Sequence, residues 1–434
     1  MTDCGQYGMS IDERAVPRDG SGDAAAGIQV ALDSGAPLVV VPYGTYRLDR
    51  GLRIGSGTHL AVHPEARMLY GDGAGRHVDD FLLSNRNPDA GDTAITVSGG
   101  IWDGNNRRNP RGREGDPDAY TGTLINMKHV TGLTLRDMRL KDSTAYFTRL
   151  TRVRDFRIER IGFQLTHELR NQDGIHCAGH CENGEIHDIE AHGTYTTGDD
   201  LVALNADDAL LRSELQGAEA GPIQNIRISN IRADDCHSFV RMASIWAPIE
   251  DIDVRGVYGG FRCMALNADA LRYCRVPLFK ADDPAYANGV GMLRRIRYAD
   301  ACVFKSGTSG APYFQLESRM DDLRLANIRR DSMRDASPEA ALVVIRNVWQ
   351  QRVAATCRVG AVRPQPANCR VQSLAGCSDT LRLESEACIE AFELADSPHL
   401  LDLQVGEPVM HPLPPPNNRV GLVVPSAPGG VDEP

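Results

Sequence analysis

Asp155-Phe156-Arg157-Ile158-Glu159-Arg160-Ile161 and, further along, Asn225-Ile226-Arg227-Ile228-Ser229-Asn230-Ile231 carry one pattern: polar, apolar, polar, apolar, two turn or polar residues, apolar. Apolar residues at alternate positions mark a strand with one buried face, and the two-residue break marks a bend that resets the alternation. The same short strands recur at Leu133-Thr134-Leu135, Glu185-Ile186-His187, Ile252-Asp253-Val254, Leu293 to Ile296 and Leu323-Arg324-Leu325. Their spacing suits successive coils of roughly 20 to 50 residues, with longer gaps where loops are inserted. An α/β barrel would need an amphipathic helix after each strand, whereas the connections here are rich in Gly, Asp and Asn. The expected fold is therefore all-β, a single-stranded parallel β-helix in which residues one coil apart lie about 4.8 Å apart.

Outward from this rhythm, Asp19-Gly20-Ser21-Gly22-Asp23 reads as a turn cluster. It precedes one amphipathic helix over Ala24 to Asp33, with Ile28, Ala31 and Leu32 on its apolar face and Asp23 as N-cap, which would cap the first coil. Beyond about Trp349 the rhythm fades. The expected organisation is a β-helix domain over 1–350, last coils or a small β extension over 351–410, and an extended tail over 411–434 that carries Pro412, Pro414, Pro415, Pro416, Pro425 and Pro428.

The chain of 434 residues is acidic, with 58 Asp and Glu against 47 Lys and Arg and no basic block, which argues against nucleic acid as a partner. Met1 to Ser10 has neither a cationic leader nor a long apolar run, and no stretch reaches membrane-span length. The expectation is a soluble cytoplasmic protein without a membrane partner, or a secreted one if a leader has been removed. An odd count of 11 cysteines without CxxC spacing suits reduced thiols. His176-Cys177-Ala178-Gly179-His180-Cys181 has metal-binding residue types, but alternate residues on a strand face opposite ways, so no metal or other cofactor is expected.

Two carboxylate clusters flank the Glu185-Ile186-His187 strand: Asn171-Gln172-Asp173-Gly174 and Gly198-Asp199-Asp200. In a coil stack Asp173, Asp199 and Asp200 would share one surface, a geometry for acid/base chemistry on a glycosidic bond. Clustered carboxylates cannot all ionise cheaply, so one keeps a proton while its neighbours stay basic. Trp102, Trp246 and Tyr195 are candidates to stack on sugar rings.

With these motifs, and with Gly100-Ile101-Trp102-Asp103-Gly104 and Asp142-Ser143, the stretch from Val16 to Gln350 resembles glycoside hydrolase family 28, the polygalacturonase-like right-handed parallel β-helix hydrolases. The resemblance implies inverting single-displacement hydrolysis. Asp199 would protonate the leaving oxygen, Asp173 and Asp200 would hold and deprotonate the water, and Asn171 would position a carboxylate or a sugar hydroxyl. Two family elements are altered. The Gly-His-Gly expected after the aspartate pair falls on Gln216 to Gly221, which has no histidine, leaving His176, His192 or His237 to replace it. The Arg-Ile-Lys element that grips a uronate becomes Val240-Arg241-Met242-Ala243, keeping only the arginine. The expected substrate-binding residues are Asn171, His176, Arg241 and Trp102. The expected partner is a uronic-acid-containing or related oligosaccharide or polysaccharide, with oligomeric state open. The alternatives are a β-helix lyase and a non-catalytic, tailspike-like carbohydrate binder.

Overall fold

The computed structural model describes residues 8–11, 16–113, 116–207, 219–269, 291–316, 318 and 320–340, and beyond these only backbone strands within 343–405. The proline-rich stretch 411–434, and Gln216 to Ala218 of the segment that replaces the Gly-His-Gly element, lie outside the described residues.

The repeated heptad decides how coils stack. Leu135 lies opposite Ile158, Ile158 opposite Ile186, and the file continues through Ile228, Val254, Tyr298 and Leu325, each pair parallel and in register. A second file runs Met138, Ile161, Ile189, Ile231, Val257, Ala301, Ile328 on the same strands. Every member of both files is buried. The buried faces thus form one continuous hydrophobic column rather than separate small cores, the arrangement in which each repeat is stabilised by its neighbours. From Ile125–Lys141 to Leu293–Lys305 the bend between the two apolar files is made by a residue with positive φ, namely Asp137, Arg160, Asp188, Asn230, Gly256 and Asp300, and most of these are Asp or Asn. Asx residues tolerate the left-handed region because their short polar side chains can bond locally. A second set does the same at the strand starts: Asn183 Nδ2 donates to Asp155 Oδ1 at 2.9 Å and Asn225 Nδ2 to Asn183 Oδ1 at 2.8 Å. The Gly, Asp and Asn richness of the connections is this ladder of corners.

Gly184 occupies the core file between Phe156 and Ile226 because a Cβ there would come within 2.1 Å of the Phe156 ring. The ring of one coil fills the space left empty in the next.

Among the described residues the one helix spans Ala25–Asp33 and buries Ala25, Ile28, Ala31 and Leu32. Asp23 Oδ1 accepts from Ala25 N at 2.9 Å, so it serves the helix start, although the capping position itself is Ala24. The turn expected at Asp19–Asp23 is a strand instead, paired in parallel with Thr45–Leu48 and broken by an irregularity in register. Asp19 accepts from the Ser21 amide and hydroxyl, which keeps the turn-like side-chain bonding within an extended segment. At Val343–Trp349 the strand pairs antiparallel with Arg352–Val359, the first antiparallel strand pair along the described chain. No helix of the described residues is long and apolar enough to cross a membrane.

Candidate functional site

Three consecutive short strands build the site: Ile175–Ala178, Asp200–Asn205 and the end of Ile223–Ala243. Ile175, Val202 and Val240 stack inward, as do Cys177, Leu204 and Met242. Alternation then directs His176, Ala203 and Arg241 to the opposite face in one file, with the small Ala203 between the two larger side chains. Upstream the backbone pairing continues: Gly174 N donates to Asp200 O at 2.9 Å, and Asp199 N to Gln172 O at 3.4 Å. Asp173 and the Asp199-Asp200 pair therefore come from neighbouring coils and meet. The next coil sets Ser238 opposite Asp200, which brings His237 beside Asp199.

The floor is closed. Asp173 is 3% exposed, Asp200 1%, His176 1% and Arg241 3%. Asp173 Oδ2 lies 2.5 Å from His176 Nδ1, and the His176 ring stacks on Tyr146 with centroids 3.9 Å apart. Arg241 Nη1 sits 3.9 Å from Asp200 Oδ2. Burial pushes the Asp173 carboxyl above the usual carboxylate range and the Asp199 charge adds to that, while His176 and Arg241 pull the other way.

Asp199 and His237 form the mouth, with side chains 22% and 37% exposed and His237 Nδ1 3.4 Å from Asp199 Oδ1. Burial alone would lower the His237 imidazole, but its bond to Cys263 and the Asp199 carboxylate hold it above its ordinary value. Asn171 Nδ2 donates to Asp199 Oδ2 at 3.4 Å, and Arg111 Nη1 donates to Asn171 Oδ1 at 3.0 Å. Asp199, Asp200 and His237 bring donor atoms within 4.8 Å of one another, a spacing a divalent cation could use.

The geometry thus joins Asp173, Asp199, Asp200, Asn171, His176 and Arg241. It separates Trp102 from them. Trp102 stands opposite Met68 and Leu140, is 0% exposed, and donates through Nε1 to Gly99 O at 3.0 Å. A sugar cannot stack on a ring sealed in the core, so Trp102 is a packing residue. His176 is also no open binding group: it is sealed against Asp173 and Tyr146. Of the three histidines left open by sequence, His237 stands beside Asp199, whereas His192 Nε2 pairs with Glu190 at 3.0 Å. Tyr195 and Trp246 are 48% and 45% exposed.

No family model matches the chain. The pre-neck appendage protein of Bacillus phage phi29 is 31% identical over 143 residues, which is 32% of this chain and only 16% of that protein's length. A family 28 exopolygalacturonase of Yersinia enterocolitica superposes with TM-score 0.54 at 14% identity, over 75% of this chain and 71% of that one. PfbA, a surface protein and adhesin of Streptococcus pneumoniae, superposes with TM-score 0.57 at 12% identity, over 93% of this chain and 99% of that one. An enzyme and an adhesin are both matched, the adhesin over more of the chain, and at these identities the likeness concerns architecture alone. The chain has a polygalacturonase-like β-helix fold.

Proposed function

We propose that the chain is a glycoside hydrolase that cleaves a uronic-acid-containing or related oligosaccharide or polysaccharide by inverting single displacement. The observation that carries this reading is the meeting of Asp173, Asp199 and Asp200 from neighbouring coils. Asp199, at the mouth, donates its proton to the leaving oxygen. Asp173 and Asp200, on the floor, hold the attacking water and take its proton; a carboxyl raised by burial is the stronger base once ionised. Asn171 and His237 flank Asp199 and orient it. In this reading the coils wind right-handed, the hand favoured for crossovers between parallel strands.

The non-catalytic reading is favoured by one observation, the near-complete closure of Asp173 and Asp200. A reducing-sugar screen over oligogalacturonides, rhamnogalacturonan fragments and neutral glycans separates the two. Hydrolysis is expected on at least one substrate, with Asp199→Asn and Asp173→Asn each lowering kcat by about 10²- to 10⁴-fold. Glycan binding without turnover in the wild type would give the binding-protein reading instead. Absorbance from an unsaturated product would mark a lyase, with Arg241 as the basic residue beside the carboxylates.

A further inference from the structure

One aromatic ring at the mouth is held rigidly yet left half uncovered. Tyr195 is 48% exposed, and its backbone takes a φ of 61°, an uncommon conformation for a bulky side chain. Asp235 fixes it there: Oδ2 accepts from Tyr195 N at 2.8 Å, and Oδ1 accepts from the Ser306 hydroxyl at 2.5 Å. Arg262 lies against the ring, its Cζ 4.7 Å from the centroid. That guanidinium is itself locked, donating to Asp235 O at 3.1 Å, to Glu168 Oε1 at 3.2 Å and to Thr197 O at 3.2 Å. Four separate segments thus converge on a ring that contributes little to the core.

The same turn is bonded to the backbone of the site residues. Thr197 Oγ1 donates to Asp199 O at 2.6 Å, and Thr197 O accepts from His237 N at 3.1 Å. The turn that carries the ring is thus tied to the backbone that presents Asp199 and His237. An aromatic face suits the C–H face of a pyranose, and a ring fixed in advance loses little entropy on stacking.

The charges around it select which pyranose. Arg262 already faces Glu168 at 3.2 Å and Asp235 at 3.6 Å, and Arg241 faces Asp200 at 3.9 Å. Among the described residues, a uronate carboxylate at this position would meet Asp199, with Arg262 and Arg241 already facing carboxylates and Arg111 Nη1 donating to Asn171 Oδ1 at 3.0 Å. We propose that Tyr195 is the stacking platform for an uncharged pyranose held at the mouth beside Asp199, so that the sugar adjoining the scissile bond is neutral even in a chain that carries uronates elsewhere. The words "scissile bond" rest on the hydrolase reading; the platform itself does not.

Dissociation constants for neutral hexasaccharides, rhamnogalacturonan fragments and oligogalacturonides, with wild type, Tyr195→Phe and Tyr195→Ala, test this. Wild type should bind a member containing a neutral ring in preference to the pure uronide. Tyr195→Ala should weaken that binding about tenfold, while Tyr195→Phe stays within about twofold. Preference for the pure uronide, equal affinity of wild type and Tyr195→Ala, or no glycan binding at all would each overturn the proposal. Turnover that depends on Asp199 with KM unchanged in Tyr195→Ala would sink the platform and leave the hydrolase standing. Binding that depends on Tyr195 with no turnover would do the reverse.

Discussion

His176 is the residue that most changes what Asp173 can do. It donates no substrate contact of its own, being 1% exposed, but its imidazole opposes the effect of burial on the Asp173 carboxyl. The sign follows directly. A raised pKa means the carboxylate form exists only above that value, so a reaction that uses Asp173 as base loses rate as pH falls through it. His176→Leu removes the hydrogen bond and the field of the imidazole, and Asp173 should rise further. The acidic limb of the kcat/KM profile is expected to move to higher pH. An unmoved limb would mean that Asp173 is not the group titrating. Two residues were misjudged or left undecided from sequence, for different reasons. Trp102 reads as a candidate sugar platform because an aromatic face suits a pyranose, yet Ile101–Asp103 is a strand whose middle residue is buried opposite Met68 and Leu140. His237 was one of three equal candidates because nothing local to it marks its partner; only the pairing of Asp200 with Ser238 does.

At the scale of elements, the strands themselves were legible because alternation is a local property. Every run marked from Leu133 to Leu325 falls within a described strand of the stack. What alternation does not foresee is a charged residue at an inward position. Lys305 is an example: it ends the strand Leu293–Lys305, is 0% exposed, and donates to the backbone oxygen of Cys263, with the Phe261 and Tyr313 rings 5.1 and 5.8 Å from its ammonium. Burial brings its pKa down to about 8; Cys263 and Asp335 oppose that shift and Arg330 adds to it. Between about 8 and 10.5 the unfolded chain therefore binds a proton here that the folded chain does not, and stability gains from this group as pH rises through that window. Lys305→Met, which keeps the stem and removes the charge, should flatten the rise. Melting temperatures of both proteins from pH 7 to 10 check it; parallel curves would count against a neutralised buried lysine.

For the whole molecule, the formal net charge of −11 bears on which polymers can approach. A polyuronide meets an acidic protein against a repulsive field, and salt screens that field over about 10 Å at 0.1 M. KM for an oligogalacturonide should therefore fall as ionic strength rises, whereas KM for a neutral chain should stay flat. Rising KM with salt on the uronide would point to a local basic cleft that outweighs the overall charge.

Register in this stack is kept by position in the coil and not by distance along the chain. However much polypeptide passes between Asp200–Asn205 and Ile223–Ala243, Val202 still returns to its place opposite Val240. His237 comes to stand beside Asp199 by coil pairing and not by a fixed offset after the aspartate pair. The same tolerance makes the scaffold permissive to grafting: connecting segments can lengthen, shorten or be exchanged while Asp173, Asp199 and Asp200 keep their address, so the rim around them can change without moving the carboxylates.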